Sequence, residues 1–238
     1  MLRSFSMAAL LLSALVVGDD TATDAKYAEQ KERLAKLQSL VGAWRGVGQP
    51  QRGSTKDSWI EESDWAWSFG KDGPALVAKL PKAKFFSELR LIAAATGGGF
   101  VLAATPAAGG DAVSYMGKLN DQHQLVLTAE QPGDDLPRRL SFRFVAGGDR
   151  LLLLMEKKGQ AGEQLVRLAE VGYTRQGSGF GKNVAQRECV VTGGLGTIEV
   201  THDGKTYYVC CTGCRDYFNE NAEKVLAEYA ARKASEKK

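Results

Sequence analysis

Apolar and polar residues alternate with a period of two over most of the chain between residues 44 and 173. This alternation predicts β-strands with one buried and one exposed face. Gly, Asp, Asn or Pro closes each run, and these turn-forming residues favour antiparallel pairing of consecutive strands. The predicted strands are Trp44–Gly48, Trp59–Phe69, Ala75–Leu80, Phe85–Ala95, Gly99–Thr105, Ala112–Leu119, Gln124–Glu130, Leu140–Val145, Leu151–Glu156 and Gln164–Tyr173. A meander of this length tends to close, because closure removes the exposed edge strands.

A helical pattern precedes the strands, from Asp24 to Leu40, with apolar residues on one face at spacings of three, four and seven. We expect this helix to cover one end of the sheet. The tripeptide Gly42-Ala43-Trp44 resembles the Gly-x-Trp opening of lipocalin-like barrels, in which the Trp belongs to the core. The predicted fold is therefore mainly β: an antiparallel up-and-down barrel with an N-terminal helix over residues 24–174.

Three tryptophans of the second predicted strand, Trp59, Trp65 and Trp67, share one face because they occupy odd positions. They pack in the core or line a cavity for a small apolar ligand. Glu61, Glu62 and Asp64 are expected on a solvated strand face. His123 is expected to be solvated in a turn. This stretch contains no catalytic set, and the sequence predicts a protein that is not an enzyme.

The amino terminus has the pattern of a secretory signal peptide. Arg3 precedes an apolar run from Met7 to Val17, and Val16 and Gly18 are small enough to flank a cleavage site. The run is shorter than the roughly 20 residues that span a bilayer. We therefore expect residues 1–18 to be removed and the protein to be periplasmic or secreted, without a membrane span. A net charge of +3 without a basic, aromatic-rich face argues against nucleic-acid binding.

A glycine-rich linker over residues 175–186 is predicted to separate the barrel from a small unit at 187–232. Two β-branched runs, Thr197–Thr201 and Thr206–Cys210, flank Asp203-Gly204. Asp-Gly between such runs predicts a tight hairpin, whose turn needs positive φ at both central residues. A helix should begin at Cys214 and break near Asn219–Asn221. The unit is therefore predicted to be a small α+β fold.

All four cysteines of the chain, Cys189, Cys210, Cys211 and Cys214, lie in this small unit. The hairpin returns the chain, so Cys189 is expected near Cys214. A helix N-terminus lowers the pKa of a thiol, which favours Cys214 as a thiolate ligand. Sulfur donors without an oxygen cluster favour Cu(I), Zn or another soft ion. Neighbouring strand residues point to opposite faces, so Cys211 is a candidate ligand only where the strand has ended.

The cysteines stand in a recognisable motif. Cys189-Val190-Val191-Thr192-Gly193, then Gly204-Lys205-Thr206-Tyr207-Tyr208-Val209-Cys210-Cys211-Thr212-Gly213-Cys214, resemble the TRASH/YHS-like heavy-metal-binding domain. The resemblance implies that Cys189, Cys210 and Cys214 are the ligands. It also implies a role in sensing, carrying or resisting copper, mercury and related metals. A metal-handling protein is a further expected partner, besides the metal ion itself.

Three interpretations follow from the sequence. The first is an exported protein that captures a soft metal ion, Cu(I) or Zn, through these thiolates. The second is a lipocalin-like carrier of a small apolar ligand whose cysteines form disulfides, which persist outside the cytoplasm. The third is an exported thiol–disulfide enzyme that uses Cys211 and Cys214.

Overall fold

A computed structural model of the chain describes residues 19–159, 162, 164–176 and 187–235. Ten antiparallel strands form a closed barrel in which each strand pairs with its neighbours in sequence and the last pairs with the first. The strands are β1 Gly42–Gln49, β2 Trp59–Gly70, β3 Gly73–Lys79, β4 Phe86–Ala93, β5 Phe100–Pro106, β6 Val113–Leu119, β7 Leu125–Thr128, β8 Arg139–Val145, β9 Arg150–Lys158 and β10 Leu165–Arg175. The predicted mainly β, up-and-down barrel is confirmed.

Burial alternates along the strands as the sequence pattern requires. In β2 the odd positions 61 to 67 are buried, and the residues between them are half-buried or exposed. Closure is made by β1 and β10, where Trp44 lies opposite Arg175. Trp44, Trp65 and Trp67 are almost fully buried, and they pack with apolar residues from every strand in one continuous core. The inward-facing side chains of all ten strands thus fill the interior of the barrel.

Helix α1 spans Asp19–Ala35 and is followed by a short 3₁₀ helix at Gln38–Leu40. The predicted single helix to Leu40 is therefore interrupted, because the chain turns to enter β1. The turn buries both Leu37 and Leu40, and the Leu40 carbonyl accepts a hydrogen bond from Trp44 Nε1 at 2.7 Å. Arg33 donates to the carbonyls of Ala94 and Gly99 in the β4–β5 turn. Helix α1 consequently lies across the end of the barrel where β1 begins.

The small unit consists of a hairpin, β11 Ile198–His202 and β12 Lys205–Val209, and helix α2 at Thr212–Ser235. Asp203 and Gly204 have φ values of 48° and 72°, so the predicted tight turn is present. Helix α2 has a non-helical residue at Asn221, within the predicted break. Phe218 and Val225 of α2 are buried, and Phe218 packs against Tyr207 of β12 with 5.9 Å between ring centroids.

The small unit packs directly on the barrel. The Trp67 backbone N–H donates to Cys211 Sγ at 3.4 Å, and Gly213 lies against the Trp67 carbonyl. Tyr217 of α2 stacks on Phe69 of β2 with 4.4 Å between ring centroids. Buried residues of both parts form one hydrophobic cluster.

Two predicted segments fall outside the described residues: the signal peptide at 1–18, and the part of the 175–186 linker from residue 177 onward. Strand β10 runs through Arg175, one residue beyond the predicted end of the barrel domain. Among the described residues, no helix has the length and apolar character needed to cross a bilayer.

Candidate metal centre

Cys189 reaches the hairpin through a short turn that precedes it. Its backbone N–H donates to the Gly194 carbonyl at 2.6 Å, and its carbonyl accepts from Gly193 N–H at 2.8 Å. It also forms an isolated bridge with Tyr208 of β12. The segment thus runs alongside β12, which places the first cysteine beside the end of that strand.

The other three cysteines lie where β12 passes into α2. Cys210 and Cys211 follow the last residue of the strand, and the Cys211 carbonyl accepts the backbone N–H of Arg215 at 3.0 Å in the first turn of the helix. Cys214 lies in the same turn. The junction therefore turns the chain sharply and brings Cys210 and Cys214 together.

The Sγ atoms of Cys189, Cys210 and Cys214 all lie within 4.8 Å of one another. The Sγ atoms of Cys210 and Cys214 are 3.5 Å apart. Three sulfurs at the usual bond length of about 2.3 Å from one ion lie about 3.8 Å apart in a tetrahedron and about 4.0 Å apart in a trigonal plane. The three atoms therefore fit a single soft cation after small side-chain adjustments.

All four cysteines are free thiols and all are buried. Cys189 and Cys214 have no exposed surface, and Cys210 and Cys211 are each 6% exposed. The disulfide pairing of the second sequence interpretation is not present. Three thiols that converge without a disulfide leave their sulfur lone pairs available to a ligand, and this arrangement is compatible with a thiolate metal site.

The thiols of this cluster share protons. Hydrogen bonds from Cys210 and Cys214, followed by the Thr192 hydroxyl at 3.3 Å, lower the pKa of Cys189 well below its ordinary value of 9.0. Hydrogen bonds to Cys189 and then to Cys211 raise the pKa of Cys210, against the contact with Cys214, which lowers it. The pKa of Cys214 is also raised, first by its hydrogen bond to Cys189, whereas the helix position predicted a lower one. The neighbouring thiols and burial therefore set the direction of the Cys214 pKa shift.

Cys211 adjoins this group without belonging to it. Its Sγ is 3.9 Å from Cys210 Sγ, but it does not belong to the set of sulfurs that lie within 4.8 Å of one another. Hydrogen bonds from Cys210 and Cys214, with a further one from the Trp67 backbone, lower its pKa. The Cys211 side chain therefore contacts the Trp67 backbone of the barrel as well as the thiols of Cys210 and Cys214.

The chain has two histidines, His123 and His202. His202 is the last residue of β11 and packs edge-on against Phe218, with 6.2 Å between ring centroids. His123 is exposed in a turn with φ of 56°. Neither histidine belongs to the ligand group found among the described residues.

Glu61 was expected on a solvated face, and this prediction was wrong. It is 4% exposed and faces inward with the tryptophans of β2. Its carboxylate accepts hydrogen bonds from Trp59 Nε1 at 2.5 Å and from the Tyr173 hydroxyl. The signal was in the sequence, because Glu61 has the same parity along β2 as Trp59, Trp65 and Trp67.

Comparisons with known proteins add little to this geometry. No protein-family model matches the chain, and no curated protein matches it significantly. Among solved structures, the chain is similar to the crystal structure of Rv2717c from M. tuberculosis, with 17% identity over 60% of this chain and 97% of that chain and a TM-score of 0.41. At this identity and TM-score, the likeness carries no information about function.

Proposed function

We propose that this protein captures one soft metal ion, Cu(I) or Zn²⁺, as cargo through the thiolates of Cys189, Cys210 and Cys214. The observation that carries the proposal is the convergence of three free, buried Sγ atoms within 4.8 Å of one another. They come from two segments that are 21 positions apart, as Cys189 and Cys210 show. The resemblance of residues 187–232 to the TRASH/YHS-like domain supports the same assignment.

The donor set selects the class of ion. Thiolate sulfur favours Cu(I) and Zn²⁺ over Mg²⁺ or Ca²⁺, which prefer oxygen ligands. Three sulfurs alone satisfy a three-coordinate Cu(I) ion, whereas Zn²⁺ takes a fourth ligand from outside the group. The proposed setting is the periplasm or the exterior of the cell, where the signal-like segment 1–18 would direct the chain. The proposed role is capture or transfer of the ion, with no enzymatic step.

Metal titration under anaerobic, reducing conditions tests the proposal, with bound metal measured by elemental analysis. We expect the protein to bind one Cu(I) or Zn²⁺ ion. We expect a loss of affinity for the ion of at least tenfold in each of three variants, Cys189→Ser, Cys210→Ser and Cys214→Ser, because each removes a sulfur that binds the ion directly. Cys211→Ser is the matched control, since it removes a buried thiol that adjoins the group of three but does not belong to it, and it should retain binding.

Absence of metal binding in a protein with four titratable thiols would reject the proposal. Loss of binding in Cys211→Ser as severe as in the other variants would reject the three-cysteine site in its stated form.

A cavity lies at the end of the barrel where β1 ends, opposite helix α1. It favours a second candidate function, transport of a small apolar ligand. It has a volume of about 390 Å³ and is lined by Trp59, Phe85 and Leu136, with Lys84 Nζ 4.8 Å above the Trp59 ring. A change in tryptophan fluorescence on addition of a medium-chain fatty acid, absent in Trp59→Phe, supports this role. No change in the wild-type protein removes it.

A further inference from the structure

A second cavity lies between the barrel and the small unit, with a volume of about 660 Å³. Its walls come from the 3₁₀ turn before β1, the β8–β9 turn, the end of β10, the segment around residues 187–195, and α2. Cys210 is the cysteine that lines it. Cys189 and Cys214 have no exposed surface. The cavity therefore reaches the proposed metal centre at Cys210.

Charged side chains line this cavity. Arg175, Arg187 and Arg232 line the cavity together with Asp149 and Glu188, which leaves an excess of positive charge. Arg232 is held by Glu188 and by the carbonyls of Cys189 and Val190 at 3.2–3.3 Å. Arg175 donates to the carbonyls of Val41 and Ser39, both at 2.6 Å. These two guanidinium groups are fixed in the wall.

Arg187 is held more loosely. Its guanidinium stacks on the Tyr208 ring at 4.5 Å from the centroid and lies 3.7 Å from Glu199. The side chains of this ion pair are 54% and 64% exposed, so the pair contributes little stability and exchanges readily with another anion. The stacking keeps the guanidinium at the rim, where an incoming anion can pair with it.

We propose that Arg187 and the cavity beside Cys210 bind the anionic group of a small thiol that delivers the metal ion. The inference rests on the proposed function. Soft ions pass between thiolates by ligand exchange, and a delivering molecule needs room for its own body beside the first protein ligand. The cavity supplies that room, and its charge selects thiols that carry a carboxylate.

The exchange of thiolate ligands at Cu(I) needs no oxidant or reductant. Cu(I) arrives bound to small thiolates and leaves them for the sulfurs of Cys210, Cys189 and Cys214. Each Cu–S bond to a small thiolate breaks as a Cu–S bond to the protein forms. The protons that the cysteine thiols release pass to the departing thiolates and to water, and copper remains in the +1 state.

Stopped-flow transfer of Cu(I) from three matched carriers tests the proposal: 3-mercaptopropionate, which is anionic, 2-mercaptoethanol, which is neutral, and cysteamine, which is cationic. The rate is followed by the ultraviolet absorption of the copper–thiolate bonds. In the wild-type protein, the anionic carrier should transfer fastest. One charge about 4 Å away in water changes a rate by roughly fivefold, and salt weakens the effect.

Arg187→Gln should reduce the preference for the anionic carrier about fivefold while leaving the equilibrium affinity for Cu(I) unchanged. Arg187→Lys keeps the charge and should keep the preference. Arg52→Gln is the matched control, because Arg52 is exposed in the β1–β2 loop at the opposite end of the barrel, and it should behave as the wild type.

Two results would overturn the inference while the proposed function stands: equal rates from all three carriers, or an Arg187→Gln variant that slows all three carriers equally. The second result would mean that Arg187 only neutralises the bound copper–thiolate cluster. Failure of the proposed function is seen separately, as absence of bound Cu(I) at equilibrium with every carrier.

Discussion

At the scale of single residues, the Trp67 carbonyl dictates glycine at position 213. A Cβ at Gly213 would lie 1.8 Å from that oxygen, which is backbone and cannot move aside. Gly213→Ala must therefore push the first turn of α2 off β2. We expect a loss of about 1–3 kcal/mol in the free energy of unfolding, measured with urea, because the contact is overpacked.

The same substitution should weaken metal binding, since Gly213 lies between Cys211 and Cys214. Gly70→Ala is the matched control, because a Cβ there meets nothing within 4 Å. A Gly213→Ala protein with the stability and affinity of Gly70→Ala would show that the small unit does not dock on Trp67.

Glu61 is a second residue whose surroundings determine how much a substitution changes the stability of the protein. Its carboxylate holds both Trp59 and Tyr173 in the interior of the barrel. Glu61→Ala leaves the buried Tyr173 hydroxyl without this acceptor, which should destabilise the protein by about 1–3 kcal/mol in urea unfolding. Glu62→Ala removes a half-exposed partner of Arg45 and should change the stability by less than about 0.5 kcal/mol. Equal effects of the two substitutions would contradict the buried placement of Glu61.

Tyr115 links stability to alkaline pH. Burial raises its pKa above the ordinary value of 10.0, and its hydroxyl donates to the Pro137 carbonyl at 2.6 Å. Because the raised pKa belongs to the folded state, the stabilisation is complete below pH 10 and is lost as the pH rises above it. Each pH unit above 10 lowers the free energy of unfolding by about 1.4 kcal/mol per buried tyrosine. Urea unfolding at pH 9 to 11 should show a shallower decline in Tyr115→Phe, and an unchanged slope would contradict this.

At the scale of elements, the β11–β12 hairpin positions Cys210. Gly204 in its turn has φ of +72° and open space around its Cα, so Gly204→Ala introduces backbone strain without a clash. We expect a loss of about 1–2 kcal/mol and a lower metal affinity. Gly109, at φ +90° in the β5–β6 turn, provides the matched control. Gly109→Ala should lose similar stability in urea but keep its affinity for the ion, and equal affinities of the two variants would contradict the prediction.

The elements themselves were predictable because they rest on local patterns. Each of the ten barrel strands overlaps its predicted range, and Asp203-Gly204 forms the predicted turn. Glu61 was wrongly predicted to be exposed because it is charged, although it occupies an odd position of β2 like the buried tryptophans. The contact between Trp67 and Cys211 spans 144 positions, and no local pattern encodes it. The contact follows from the topology of the barrel, because β2 pairs with β1 only as far as Trp65. The Trp67 N–H, two residues further along β2, has no partner in β1 and donates to Cys211 instead.

At the scale of the whole molecule, the cysteine cluster of the proposed metal site and the barrel share one core, so binding of an ion there should stabilise the entire chain. The coupling runs through Cys211 and Gly213 on the small unit and Trp67 on the barrel. An ion at a thousand times its Kd adds about 4 kcal/mol when it binds only the folded state, which corresponds to a rise in Tm on the order of 10 °C for a chain of this size. Calorimetry with Cu(I) should show one transition that shifts as a whole, and no shift in Cys214→Ser. Two transitions, of which only the smaller moves with copper, would instead show that the barrel unfolds independently of the site and that the shared core does not transmit the binding energy.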